Sequence, residues 1–166
     1  MTCEIKDKLL PQEEFDLLED HMMGYYFPWY YMDRESYETD TDTFQFQHTF
    51  YRGGEYPLRS EYYDYDLVKP LLRKLKVDEK KLHRIKAILT TKTPTHRFSG
   101  YHIDYPDMTT VAFYVNSNNG YTEFQKGGKI ESVANRAAIF DSNMVHGGHT
   151  ATDQKTRVLI NFNYEI

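Results

Sequence analysis

The feature that most constrains this chain is a train of short, strand-prone segments that begins near residue 80. Eight candidates lie at 84–91, 98–104, 109–116, 121–124, 128–133, 136–141, 144–149 and 156–164. Turn-forming groups separate them, among them Tyr105-Pro106-Asp107, Ser117-Asn118-Asn119-Gly120 and Lys126-Gly127-Gly128. Such residues accept the tight or left-handed backbone that strand segments refuse. Eight short strands at this spacing predict a sandwich, a barrel or a jelly roll.

Two of these segments also carry phase. Side chains alternate across a strand, so residues two apart share a face. In 156–164, Arg157, Leu159, Asn161 and Asn163 share one face, and Val158, Ile160, Phe162 and Tyr164 share the other. In 109–116, Val111, Phe113 and Val115 oppose Ala112, Tyr114 and Asn116. The simplest account buries the apolar faces under helices and turns the mixed faces toward a cavity.

The helices come from the first half of the chain. Residues 11–22 carry Phe15, Leu18 and Met22 at helical spacing, with Pro11 at the start and Glu13 and Glu14 in the first turn. Residues 67–77 carry Leu67, Val68, Leu71, Leu72 and Leu75, with Asp66 as the candidate cap and Pro70 awkwardly inside. Segment 24–64 reads as irregular, with short strands. The reading is therefore one domain over residues 1–166. Residues 1–82 form a helical and irregular support, and residues 83–166 form an eight-strand core.

Charge and cysteine content narrow the function. Lys plus Arg is 20 against 25 for Asp plus Glu, a net charge of −5 that argues against a nucleic-acid partner. Cys3 is the only cysteine, so no intrachain disulfide forms. No apolar run has the length of a leader segment or a spanning helix, and a cytoplasmic protein with no membrane partner is expected.

One constellation carries chemistry. On an extended segment, His102 and Asp104 point the same way and present an imidazole beside a carboxylate. Two His and one carboxylate on one side of a metal, with the other positions open, is the site type of non-haem Fe(II) oxygenases. The third ligand has to come from a distant segment, where His146 and His149 are both candidates. Arg157, downstream, offers a permanent planar cation to a carboxylate.

In this order of residues the sequence resembles the Fe(II)/2-oxoglutarate-dependent oxygenases, in particular the prolyl-hydroxylase-like branch and its small phage-borne members. The resemblance covers residues 83–166. His102-x-Asp104 matches the first two metal ligands. Tyr114 matches a tyrosine that helps bind the cosubstrate carboxylate, and Gly120-Tyr121-Thr122-Glu123-Phe124 resembles the Gly-x-Thr-x-Phe segment. Phe140-Asp141-Ser142 through His146-Gly147-Gly148 resembles the approach to the distal histidine, and Arg157 matches the residue that anchors the far carboxylate. The resemblance implies a mainly β fold, a double-stranded β-helix of jelly-roll or cupin type, with N-terminal helices. It implies Fe(II) held by His102, Asp104 and His146, with 2-oxoglutarate and O2 as cosubstrates. His149, Asn116 and Asn161 are candidates for the surrounding shell, and no side chain beyond the metal centre is expected to be catalytic.

The implied activity is hydroxylation of a C–H bond, with a peptidyl side chain, proline first, as the expected substrate. The alternatives are a silent jelly-roll binding module, a hydroxylase of non-peptide small molecules and a zinc hydrolase, the last leaving Arg157 without a role. The aromatic segment Tyr25 to Tyr31 is a candidate wall of the cavity entrance, against the plain alternative that it packs the first helix on the sheet. Acidic neighbours Asp33, Glu35, Glu38, Asp40 and Asp42 favour a neutral or basic substrate.

Overall fold

The computed structural model describes residues 3–35, 43–54, 57–61 and 67–165. Asp66, Glu38, Asp40 and Asp42 lie outside the described residues. The elements, in chain order, are strand β1 (Glu4–Lys6), helix α1 (Gln12–Met23), and strands β2 (Tyr30–Met32), β3 (Gln45–Arg52) and β4 (Leu58–Arg59). Helix α2 (Lys69–Leu75) follows, then a single 3-10 turn at Glu79–Lys81. The remaining strands are β5 (Leu82–Thr91), β6 (Thr109–Tyr114), β7 (Tyr121–Phe124), β8 (Lys129–Glu131), β9 (Arg136–Asp141), β10 (His146–His149) and β11 (Thr156–Tyr164).

Two antiparallel sheets result. The larger has eight strands in the order β1-β9-β6-β11-β5-β3-β2, with β4 paired to β3. The smaller has the order β10-β7-β8. The fold is mainly β, a jelly roll with two helices, as the sequence predicts.

The two strand phases fall as expected. Val111, Phe113 and Val115, with Val158, Ile160 and Phe162, join Ile85 and Phe50 in one apolar cluster. Phe15, Leu18 and Met22 of α1, and Leu71 and Leu72 of α2, cover that face. Each such side chain contributes roughly 1.5–3 kcal/mol by leaving water. The opposite face carries Ala112, Tyr114, Ala138, Phe140 and Leu159, which pack against Phe124 and Ile130 of the smaller sheet. The polar residues of the same face look into the gap between the sheets.

Helix α1 matches its expected span within a residue, and its buried residues are the anticipated Phe15, Leu18 and Met22. It stops at Gly24, where a Cβ would lie 2.8 Å from the Asp20 carbonyl oxygen. Helix α2 is shorter than 67–77 because Pro70 belongs to its first turn. There the missing amide hydrogen costs nothing.

Three expectations need correction. Residues 98–104 form no strand; they run as a loop along β10, with isolated bridges at Phe98↔His149 and His102↔His146 and a hydrogen bond from the Ser99 amide to the Gly148 carbonyl. Segment 24–64 holds more than short strands, since β3 is an eight-residue strand paired to β5 inside the large sheet. Four of the eight strands of that sheet, β1 to β4, precede residue 82, so the sheet does not begin at residue 83. No helix among the described residues is long and apolar enough to cross a membrane.

Candidate metal centre and the cavity around it

The two histidines meet through their backbones. The His102 amide donates to the His146 carbonyl at 2.9 Å, and the His146 amide donates back at 3.0 Å. This closed pair fixes a loop residue against a residue of β10 and brings the ring centroids to 4.8 Å. His146 Nδ1 lies 2.8 Å from the Met144 carbonyl oxygen, and His102 Nδ1 lies 3.3 Å from that of Gly100. A carbonyl only accepts, so each Nδ1 donates, and each Nε2 is the ring atom left to face a metal. Burial, followed by the neighbouring His146, pulls the His102 pKa down and favours that neutral ring.

Asp104 completes the group. One ligand atom from each of His102, Asp104 and His146 lies within 4.8 Å of the others. Asp104 Oδ2 is 4.0 Å from His146 Nε2. Three other side chains hold the carboxylate. Arg84 Nη2 donates to Oδ1 at 3.1 Å, and Asn161 and Asn163 donate to Oδ2 at 2.9 and 3.3 Å. Arg84 also donates to the Asn161 Oδ1 at 3.3 Å, so the amide bridges cation and anion. Burial by itself pushes this carboxyl up; Arg84, His146 and the Asn161 amide outweigh it and hold it well below the usual carboxylate range. The carboxylate is therefore ionised, and the group offers a divalent ion two imidazoles and one carboxylate.

Beside this group lies a cavity of about 90 Å³ that His102, Asp104, His146, Arg157, Lys86 and Asn161 help to line. Arg157 is buried. Its Nε donates to Ser132 Oγ at 2.9 Å and its Nη2 to Thr122 Oγ1 at 3.0 Å. The guanidinium also faces the Tyr114 ring at 5.6 Å, while the Tyr114 hydroxyl donates to Thr122 Oγ1 at 2.9 Å. All these partners are neutral, and no carboxylate among the described residues forms a salt bridge with Arg157. Across the strand pair stands Thr90, whose hydroxyl is buried and has no hydrogen-bond partner. An unmatched fork and an orphaned hydroxyl on one cavity wall fit a carboxylate ligand.

Arg157 needs Gly120 beside it. A Cβ on Gly120 would stand 2.7 Å from Arg157 Cδ and 2.8 Å from the His149 carbonyl oxygen. The match of Gly120 and Thr122 to the family segment thus has a physical content. One leaves space for the guanidinium stem and the other accepts its hydrogen bond.

The structure places the remaining candidates as follows. His149 lines the cavity, but its ring stacks between Tyr121 and Phe98, and its Nε2 lies 2.7 Å from Glu123 Oε2. It stands outside the group of three. Asn161 holds Asp104, as described. Asn116 does not reach the site: its amide donates to the Thr156 carbonyl and accepts from the Val158 amide, fastening the start of β11. None of residues 25–31 lines the cavity. Phe27 and Trp29 pack into or against the main core, whereas Tyr25 and Tyr26 are 94% and 88% exposed. Of the acidic neighbours, Glu35 does face the cavity, paired with Arg97 at 2.5 Å.

Sequence reasoning missed Arg84, Lys86 and Thr90. They share one face of β5, with Ile85, Ala87 and Leu89 on the other. Two cations and a hydroxyl alternating with aliphatic residues were the available signal.

No family model matches the chain, and no curated protein matches it. Solved structures do. A 2OG-Fe(II) oxygenase family oxidoreductase from Burkholderia pseudomallei is 12% identical, with a TM-score of 0.66 over 98% of this chain and 84% of that one. A viral collagen prolyl hydroxylase from Paramecium bursaria Chlorella virus-1 is 14% identical, with a TM-score of 0.59 over 100% and 91%. A prolyl hydroxylase from Trichoplax adhaerens, solved with a hypoxia-inducible-factor peptide, is 11% identical, with a TM-score of 0.64 over 98% and 83%. Around a His-Asp-His group and a buried arginine, the chain has the fold of the 2OG-Fe(II) oxygenases.

Proposed function

We propose that this chain is an Fe(II)- and 2-oxoglutarate-dependent dioxygenase that hydroxylates a C–H bond. The observation that carries the reading is the pairing, in one cavity, of a His-Asp-His group with a buried arginine that has no carboxylate of its own. Bound by His102, Asp104 and His146, Fe(II) would supply the oxidative decarboxylation of 2-oxoglutarate by O2 to succinate and carbon dioxide, with one oxygen atom passing to the substrate.

The chain's own residues do the rest. The backbone carbonyls of Gly100 and Met144 orient the two rings, and Arg84 and Asn161 keep Asp104 charged and aimed. Arg157 forks onto the far carboxylate of the cosubstrate, with Thr122, Ser132 and Tyr114 fixing the guanidinium plane. Ile88, Ala112, Phe140 and Leu159 line the cavity between these poles and limit water there. Of the two finer readings, a peptidyl and first of all prolyl substrate draws support from likeness of fold to prolyl hydroxylases alone, since none of residues 25–31 lines the cavity, and a non-peptide small molecule is the other. The silent binding module and the zinc hydrolase leave unexplained why Arg157 is kept charged inside the protein.

The test is iron titration by calorimetry together with succinate release. His102→Ala, Asp104→Ala and His146→Ala should each weaken Fe(II) binding at least a hundredfold, and His149→Ala should retain it. Fe(II), and not Zn(II), should support succinate formation from 2-oxoglutarate. Loss of iron in His149→Ala with retention in His146→Ala would reverse the ligand assignment, and absence of succinate under every condition would remove the enzyme reading.

A further inference from the structure

Four cations help to build the cavity or pair with its walls, and two of them are matched. Arg84 has Asp104, and Arg97 has Glu35. Arg157 is taken by the cosubstrate in the reading above. Lys86 is left over. It lines the cavity, is partly buried, and has neither a hydrogen bond nor an ion pair among the described residues. Burial, with the positive Arg84 nearby and only Asp104 opposing, pulls its ammonium down to about 8. A partly buried cation with no ion pair of its own is costly, and a cavity is where a ligand can supply the missing charge.

Its position separates it from Arg157. On β5, Lys86 pairs opposite Asn161, and Thr90 pairs opposite Arg157. Four residues of strand cover about 13 Å. Arg157 therefore marks one end of the cavity, and Lys86 marks the end where Asn161 holds Asp104. A cosubstrate reaching from Arg157 to the three ligands has its two carboxylates accounted for before it meets Lys86.

We propose that Lys86 receives a carboxylate of the substrate, which makes the substrate a small organic acid, such as a free amino acid, and not a residue inside a peptide chain. The inference rests on the dioxygenase reading. An interior peptide residue offers only neutral amides and leaves the ammonium uncompensated. A small acid neutralises it and places its nearby carbons beside the metal ligands. The acidic residues counted in the sequence do not oppose this within the described residues, because the one carboxylate there that reaches the cavity besides Asp104 is Glu35, already held by Arg97.

Two measurements test it on the full chain. The first is 2-oxoglutarate turnover stimulated by free L-proline, L-leucine, L-aspartate and four-carbon monocarboxylates. The same compounds as primary amides, and tripeptides blocked at both ends, are run beside them. At least one acid should stimulate tenfold or more above its amide, Lys86→Met should abolish that preference, and Lys86→Arg should keep part of it. The second is acetic anhydride labelling of Lys86, read by mass spectrometry in the metal-free protein at fixed 2-oxoglutarate. The same acids should slow labelling at least threefold more than their amides.

Blocked peptides that stimulate more than every acid would overturn the proposal. So would a tenfold rise in the KM for 2-oxoglutarate in Lys86→Met, which would give Lys86 to the cosubstrate, or labelling that no acid slows beyond its amide. A protein that makes no succinate at all would defeat the dioxygenase reading, while the labelling ratio would still decide the role of Lys86.

Discussion

Arg157 and Lys86 are both cations facing one cavity, and they differ in what surrounds the charge. The Arg157 guanidinium is fastened by three neutral groups into one plane, which readies it for a two-point contact. Losing a charge-assisted pair costs about 1.5–3 kcal/mol, on the order of ten- to a hundredfold in affinity. Arg157→Ala should weaken 2-oxoglutarate binding by that factor and Tyr114→Phe by less, measured by calorimetry. Unchanged affinity in Arg157→Ala would remove the arginine from the site. Lys86 has no fastening and makes a prediction about stability instead. The folded protein gives up the Lys86 proton near pH 8, and the unfolded chain gives it up near the ordinary value of 10.5. Between those values the unfolded chain binds more protons, so wild-type stability climbs with pH. Metal-free Lys86→Met should therefore be the more stable protein at pH 7, on the order of 3 kcal/mol. The gap should close between about pH 8 and pH 10.5, as followed by urea unfolding. A gap that does not vary with pH would show that the lysine stays charged in the fold.

Elements were legible where one periodicity dominated. Helix α1 shows a single apolar stripe, and β11 alternates cleanly, so both were read with their faces assigned. Strand β3 was not. Its Gln, Phe, His and Thr residues mix polar and aromatic character on both faces, because Gln45 lines the cavity while His48 and Phe50 meet the core side, and the register shifts between Thr49 and Tyr51. The grouping of His102, Asp104 and His146 was legible although the segment of the first two was misread. His102 and Asp104 converge because a backbone pair with His146 and the Arg84 contact bend a loop into place, not because a strand alternates. Arg84 and Lys86 went unseen, since which face of β5 looks inward depends on β3 and β11 on either side. The segment Gly120-Tyr121-Thr122 adds a prediction of its own. A methyl on Gly120 would collide with the stem of Arg157. Gly120→Ala should thus lower 2-oxoglutarate affinity about tenfold, as displacement of a charge-assisted contact does, and leave Fe(II) affinity in place. A parallel loss of both, in paired titrations, would mean a general collapse of the small sheet.

At the scale of the whole molecule, the recognisable motifs and the folding unit have different extents. The motifs lie in residues 83–166, but β5 pairs with β3, β9 pairs with β1, and the apolar side of β11 lies under α1 and α2. A chain cut to residues 83–166 would expose Val158, Ile160 and Phe162 and leave two strand edges open. Such a fragment should show no cooperative thermal transition, and a sharp melt with dispersed amide resonances would prove the first half dispensable. The amide exchange between His102 and His146 has a wider consequence. His146 belongs to the three-stranded sheet, whereas the side chains that steady Asp104 come from β5 and β11 of the eight-stranded one. An ion gripped by His146 and Asp104 would act as a rivet through the two layers. Removing it would take away a fastener as well as a reagent, so a chelator would loosen the sandwich at one end while the helix-covered side stayed shut.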